Sequence, residues 1–139
     1  MAREMAVAGA FYEKDFDALN RQIESCFIHS LGPGDFPIKK RSGFVKALIS
    51  PHAGYFYSGP CAAWGYKEIA ESEFADIYLL IGPNHFALSS SISFEDWKTP
   101  FGIVQTDTDF ARALSDAAKI PIDNSSHEKE HSLEVQLPF

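Results

Sequence analysis

Phe44-Val45-Lys46-Ala47-Leu48-Ile49-Ser50, running into Pro51-His52-Ala53-Gly54-Tyr55, is the stretch on which the reading of this chain turns. Its first seven residues are a short apolar run suited to a buried strand, and Pro51, which has no N–H, ends it. Further on, Ser58-Gly59-Pro60 reads as a helix start, with proline in the first turn where a missing N–H does no harm. That helix should continue through Trp64 to Ile69. Asp76 to Ile81 is a second apolar strand, closed by Gly82-Pro83. A strand–helix–strand unit of this size makes its strands parallel neighbours with a right-handed crossover. Parallel strands end on one edge of a sheet, and open α/β sheets bind ligands there. His52 and His85 each follow one of these strands, so the topology predicts both imidazoles at that carboxyl edge.

The rest of the chain fits an α/β domain with a mostly parallel sheet flanked by helices, residues 1–139 forming a single domain. Phe16, Leu19, Ile23, Cys26 and Phe27 recur at helical spacing, predicting a helix over 15–29 with Asp15 as N-cap. Gly32-Pro33-Gly34 ends it, and a loop to Ser42 carries Lys39-Lys40-Arg41 as a solvated basic cluster. Ser90–Phe94 and Ile103–Thr106 read as short strands. Asp107–Ala118 reads as a helix with Asp107 as N-cap and Phe110, Ala113, Leu114 and Ala117 facing inward. Leu133, Val135 and Leu137 alternate as in a strand, and a chain stopping there reads as interrupted.

Composition narrows the function classes. A formal net charge of -7 gives a nucleic-acid partner no electrostatic support. The two cysteines, Cys26 and Cys61, form no CxxC pair, against a disulfide scaffold or a zinc knuckle. No apolar run suggests a signal peptide, membrane span or membrane partner, so the cytoplasm is the expected compartment.

The residues with chemistry gather in the loops. His52 and His85 are the metal candidates, because a neutral ring nitrogen is the commonest protein metal ligand. Two histidines plus a carboxylate would suit non-haem iron. A ligating histidine should also donate its other N–H to a carbonyl or carboxylate. No other residue stands out as a third ligand. Gly54 is read as permitting a tight turn over the strand end. Phe11 and Tyr12 could wall a pocket, and one of Tyr55 and Tyr57 should face it. Tyr55, Asn84, Glu130 and His131 complete the pocket set, orienting a ligand or moving a proton. Cys61, beside Ala62 and Ala63, reads as part of a helix packing contact rather than a reactive thiol. His127-Glu128-Lys129-Glu130-His131 matches the H-E-x-x-H signature of zinc peptidases, which needs both histidines on one face of a helix.

Several segments, in order, resemble the Memo family: Ala8-Gly9-Ala10-Phe11-Tyr12, Pro51-His52-Ala53-Gly54-Tyr55, Ser58-Gly59-Pro60, Ile81-Gly82-Pro83-Asn84-His85 and the final block from Glu130-His131-Ser132-Leu133 to Phe139. The resemblance implies a fold similar to the class III extradiol, non-haem iron dioxygenases, with His52 and His85 matching two metal-binding histidines. It implies a divalent metal, iron before copper or zinc. The remaining ligands, a cysteine and a histidine, would lie in the second half of the family's domain, outside this chain. By gene company it implies association with a radical-SAM protein. The expected function is a metal-dependent redox or dioxygenase-like site acting on a small-molecule or peptide ligand. The alternatives are a non-catalytic binding module on the same pocket and the H-E-x-x-H peptidase. A half-domain would also leave apolar surface and self-associate.

Overall fold

The computed structural model describes residues 2–139. Its backbone divides into two compact units: Ala8–Leu79 with Phe139, and Leu80–Pro138 with the N-terminal residues through Val7. Among the described residues it is a mixed α/β structure of three helices and one three-stranded sheet.

The first unit is helical. Helix α1 spans Phe16–Ile28, and the Asp15 side chain accepts from Ala18 N as its N-cap, as the spacing predicts. Helix α2 spans Tyr55–Glu71, so it starts earlier than the Ser58-Gly59-Pro60 reading placed it. Pro60 therefore lies inside the helix. The two helices share a buried cluster of Cys26, Phe27 and Ala63; Leu19 and Ala62 are buried as well, while Cys61 is exposed. Gly59 is what lets them approach: a Cβ there would sit 2.4 Å from Cys26 Sγ. Phe139 stacks on Tyr66, centroids 4.7 Å apart, and lies against Phe27 and Tyr55. Burial in this core pushes the Tyr66 hydroxyl up to about 12, against an opposing hydrogen bond with Ser50.

The expected strand 44–50 does not form. Its residues belong to no ladder, and Phe44 and Ile49 are 65% and 101% exposed. Leu48 lies against α2 where Gly65 leaves room. The expected strand 76–81 is likewise unpaired, with Ile77, Tyr78, Leu79 and Ile81 exposed. An apolar run supplies the side chains of a strand but not its hydrogen-bonding neighbour, and neither run enters a ladder among the described residues. The basic cluster is not a free loop either. Arg41 bridges Glu68 and Glu71 at 2.9 and 2.6 Å, and Lys40 donates to Ala70 O at 2.7 Å.

The second unit holds the sheet. Strand β1, Ala2–Arg3, pairs in parallel with β2, Asp96–Thr99, which pairs antiparallel with β3, Gly102–Val104. The sheet is therefore mixed rather than mostly parallel, and it is built from strands other than the two that carry the strand–helix–strand reading. Gly102, at φ +129, closes the tight turn between β2 and β3, where Thr99 Oγ1 donates to Gly102 O. Of the expected strand Ser90–Phe94 only an isolated bridge remains, Ile92 beside Ile122. Helix α3, Thr108–Ala118, has Asp107 as N-cap, accepting from Phe110 N. Its buried residue is Ala111, with Leu114 half-buried; Phe110, Ala113 and Ala117 face solvent instead of the core. Glu134–Gln136 forms a single 3-10 turn capped by Leu133 and Leu137, not a strand.

Candidate functional site

The Gly82-Pro83-Asn84-His85 loop is shaped by contacts that its sequence encodes. A Cβ on Gly82 would lie 2.7 Å from Ser132 Oγ and 2.9 Å from Leu133 Cδ2, so glycine lets the loop lie close against the Ser132 and Leu133 side chains. Ser132 Oγ then donates to Pro83 O at 2.9 Å. Asn84 Oδ1 accepts from Phe86 N and Ala87 N, both at 2.9 Å, an Asx-type turn that reverses the chain. Asn84 thus holds the loop that presents His85.

Glu130 is the hub of this corner. It is 2% exposed, and its carboxylate accepts from His85 N at 2.6 Å and from His131 N and Ser132 N at 2.8 Å each. His85 Nδ1 lies 3.0 and 3.2 Å from its two oxygens, the Nδ1–H donating. Burial alone would raise the carboxyl. The donors from His85 and Ser132 overcome it and hold Glu130 down at about 2. The His131 ring stacks on that of His85, centroids 4.6 Å apart and planes 19° apart. The expected partnership of a ligand-type histidine with a carboxylate is therefore present, supplied by Glu130.

Around this corner lies a charged frame that sequence reasoning missed. Arg3 is 5% exposed and Glu134 0%, and they pair at 2.7 Å. Arg3 also donates from Nε to His127 O at 2.7 Å and from Nη2 to Glu130 O at 2.6 Å, with its guanidinium 4.2 Å from the Trp97 ring centre. Glu134 further accepts from Ala6 N and Val7 N. The available signal was Glu134 itself, a charge set between Leu133 and Val135 in an otherwise apolar block, which demands a buried partner.

The H-E-x-x-H reading fails on local geometry. Asn124–His127 is one 3-10 turn and no helix carries residues 127–131, so His127 and His131 do not share a helical face. His127 is buried against Trp97, with Nε2 3.1 Å from Ser91 Oγ. Burial, mainly, lowers its pKa below the ordinary 6.5. Glu128, the would-be base, is exposed.

In the helical unit, His52 is half-buried in the short loop ahead of α2. Gly54 is the N-cap at φ -60, an ordinary backbone conformation, so its value is not turn freedom. It is proximity: a Cβ there would press on Phe11 O and Cα at 3.2 and 3.3 Å, and Tyr55 N donates to Phe11 O at 2.7 Å. The Ala8–Tyr12 segment and the His-Ala-Gly-Tyr loop are thereby joined. Tyr12 and Tyr55 are both buried, ring centroids 5.6 Å apart, and Tyr55 also meets Phe139. Tyr55 is therefore core, and Tyr57 is exposed. Phe11 lines a cavity of about 240 Å³ with Tyr12, Gln22, Phe56 and Tyr57.

The matched motifs also carry a family relationship. The family model described as Memo-like protein matches residues 3–139. The chain is 44% identical over 143 residues to a MEMO1 family protein of Methanothermobacter thermautotrophicus and 46% identical over 145 residues to one of Methanococcus maripaludis. A MEMO1 family protein of Sulfurisphaera tokodaii is 45% identical over 148 residues. These alignments cover all of this chain and 52%, 51% and 51% of the relatives, so the chain spans about half the length of the curated relatives it matches. No solved structure matches it. No described helix is long and apolar enough to cross a membrane. With the match reaching from the buried Arg3 to Phe139 and taking in every loop described above, the chain belongs to the family of Memo-like proteins.

Proposed function

We propose that this chain carries the histidine part of a divalent-metal redox centre, with His52, His85 and His131 as imidazole ligands and Glu130 orienting His85. His85 and His131 stack in one corner, each offering a ring nitrogen to a metal ion; His52 joins them here on the family resemblance. His131, read from the sequence as a pocket residue, enters here as the third ligand.

The observation that carries this reading is the Glu130–His85 pair. A buried carboxylate taking the Nδ1–H fixes the tautomer, makes Nε2 the ligating nitrogen and increases its basicity. Glu130 stays ionised down to about 2, so it performs this role across any working pH. Neutral imidazoles suit iron, copper and zinc alike. The choice of iron, and a dioxygenase-like reaction on a small-molecule or peptide ligand, rest on the family resemblance. When bound, such a metal would supply Lewis-acid or electron-transfer chemistry. The chain's own residues would bind it, orient its ligands and keep a negative charge beside them.

Metal content of the untagged protein, measured by elemental analysis after gel filtration, tests the proposal. One transition metal per chain is expected, with His85→Ala and His131→Ala each losing most of it. Metal retained at wild-type level in the His52→Ala/His85→Ala/His131→Ala variant would overturn the site.

A further inference from the structure

We infer that Arg3 is a positioning residue for this centre: its guanidinium fixes the backbone of the 127–131 segment, and through it the Glu130 carboxylate that orients His85. The inference rests on the reading of His85 and His131 as ligands, but its first test needs no metal.

The geometry is specific to a guanidinium. Nε holds His127 O, Nη2 holds Glu130 O, and Nη1 holds Glu134 Oε2 and Glu4 O, at 2.7, 2.6, 2.7 and 3.2 Å. Two of these acceptors are main-chain carbonyls three residues apart, gripped by one rigid planar fork. One is the carbonyl of Glu130, and the next residue in the chain is His131. The side chain of Glu130 is meanwhile committed to His85 and to the His131 and Ser132 amides. Glu130 is therefore held at both ends, by Arg3 at its carbonyl and by His85 at its carboxylate. Glu134 completes the frame by fixing the guanidinium and the Ala6 and Val7 amides together. A lysine at position 3 could keep the charge and the ion pair with Glu134. It could not reach both carbonyls from fixed directions.

The test compares wild type with Arg3→Lys in the full 139-residue chain. With histidine ring nitrogens labelled, the metal-free wild type should show a downfield, slowly exchanging Nδ1–H from His85. In folded Arg3→Lys that signal should broaden or vanish, and cobalt(II) binding should weaken by about 10- to 100-fold, the range typical of lost outer-shell partners. A cooperative thermal transition separates this from simple unfolding. Absence of the signal in wild type, or wild-type signal and cobalt(II) affinity in Arg3→Lys, overturns the inference. If Arg3→Lys does not fold, Arg3→Met/Glu134→Met removes both charges together. Loss of signal and affinity in that folded variant supports the inference. Wild-type readouts there, or failure of both variants to fold, overturn it. Unchanged cobalt(II) affinity in His85→Ala would sink the metal reading alone, leaving the ring signal to decide the role of Arg3.

Discussion

The corner around Glu130 and the run 44–50 are opposite cases of burial. In the corner, two carboxylates and a guanidinium are almost wholly removed from water, and each is met by several partners. In the run, the apolar side chains of Phe44 and Ile49 stand in solvent, Ile49 completely. This reverses the usual distribution, in which charge is outside and hydrocarbon inside. The difference teaches that polar networks can be completed locally. The Arg3–Glu134–Glu130 frame closes with residues of one unit, whereas a strand needs a neighbour to exchange backbone hydrogen bonds.

The largest effect should come from breaking the frame. Glu134→Ala leaves Arg3 buried without its carboxylate and the Ala6 and Val7 amides without an acceptor. Urea unfolding should show a loss of about 3–5 kcal/mol. A loss under about 1 kcal/mol would mean the corner is less closed than its geometry indicates.

Acid should act next, and on the corner. Glu130 has a folded-state pKa of about 2 against an ordinary 4.5. Its stabilisation is therefore present above about 4.5 and lost as pH falls from there through about 2. His127, lowered below 6.5 by burial, adds an earlier slope: the unfolded chain takes up its proton first, so stability falls as pH drops below 6.5. Glu130→Gln should flatten the lower slope and His127→Gln the upper one in denaturation measured across pH. An unchanged profile in either variant would remove that residue from the account.

Within the helical unit, Gly59→Ala places a methyl on Cys26 Sγ and should cost about 1–3 kcal/mol by overpacking, read from thermal unfolding. The smallest folding effect belongs to the apolar run. Ile49→Lys should change stability by no more than about 0.5 kcal/mol, because the side chain touches little. It should nevertheless reduce self-association in sedimentation velocity, since exposed apolar surface drives it. A strongly destabilised Ile49→Lys, or a wild type that stays monomeric at high concentration, would erase the contrast between the two regions.

Helices α1 and α3 were legible in the sequence because their signals are local. An aspartate N-cap lies within three residues of the amide it satisfies, and Asp15 and Asp107 both do this. His52 and His85 were marked as candidates for a similar reason: each sits in a short loop marked by its own glycine and proline residues. Fold content that depends on distant partners was not. Residues 44–50 and 76–81 have strand composition, but pairing is a property of two segments, and the ladder that formed instead joins Ala2–Arg3 to Asp96–Thr99. Gly54 read as a turn residue and Gly82 as the close of a strand, yet both are required by what lies across from them, Phe11 and Ser132. Thus the sequence by itself determined the family and two of the helices and marked His52 and His85 as candidates, all carried by contiguous residues. Only the tertiary structure decided that Glu130 is the partner of His85 and that Arg3 meets Glu134. Those contacts join residues 45 and 131 positions apart, and no local periodicity records them.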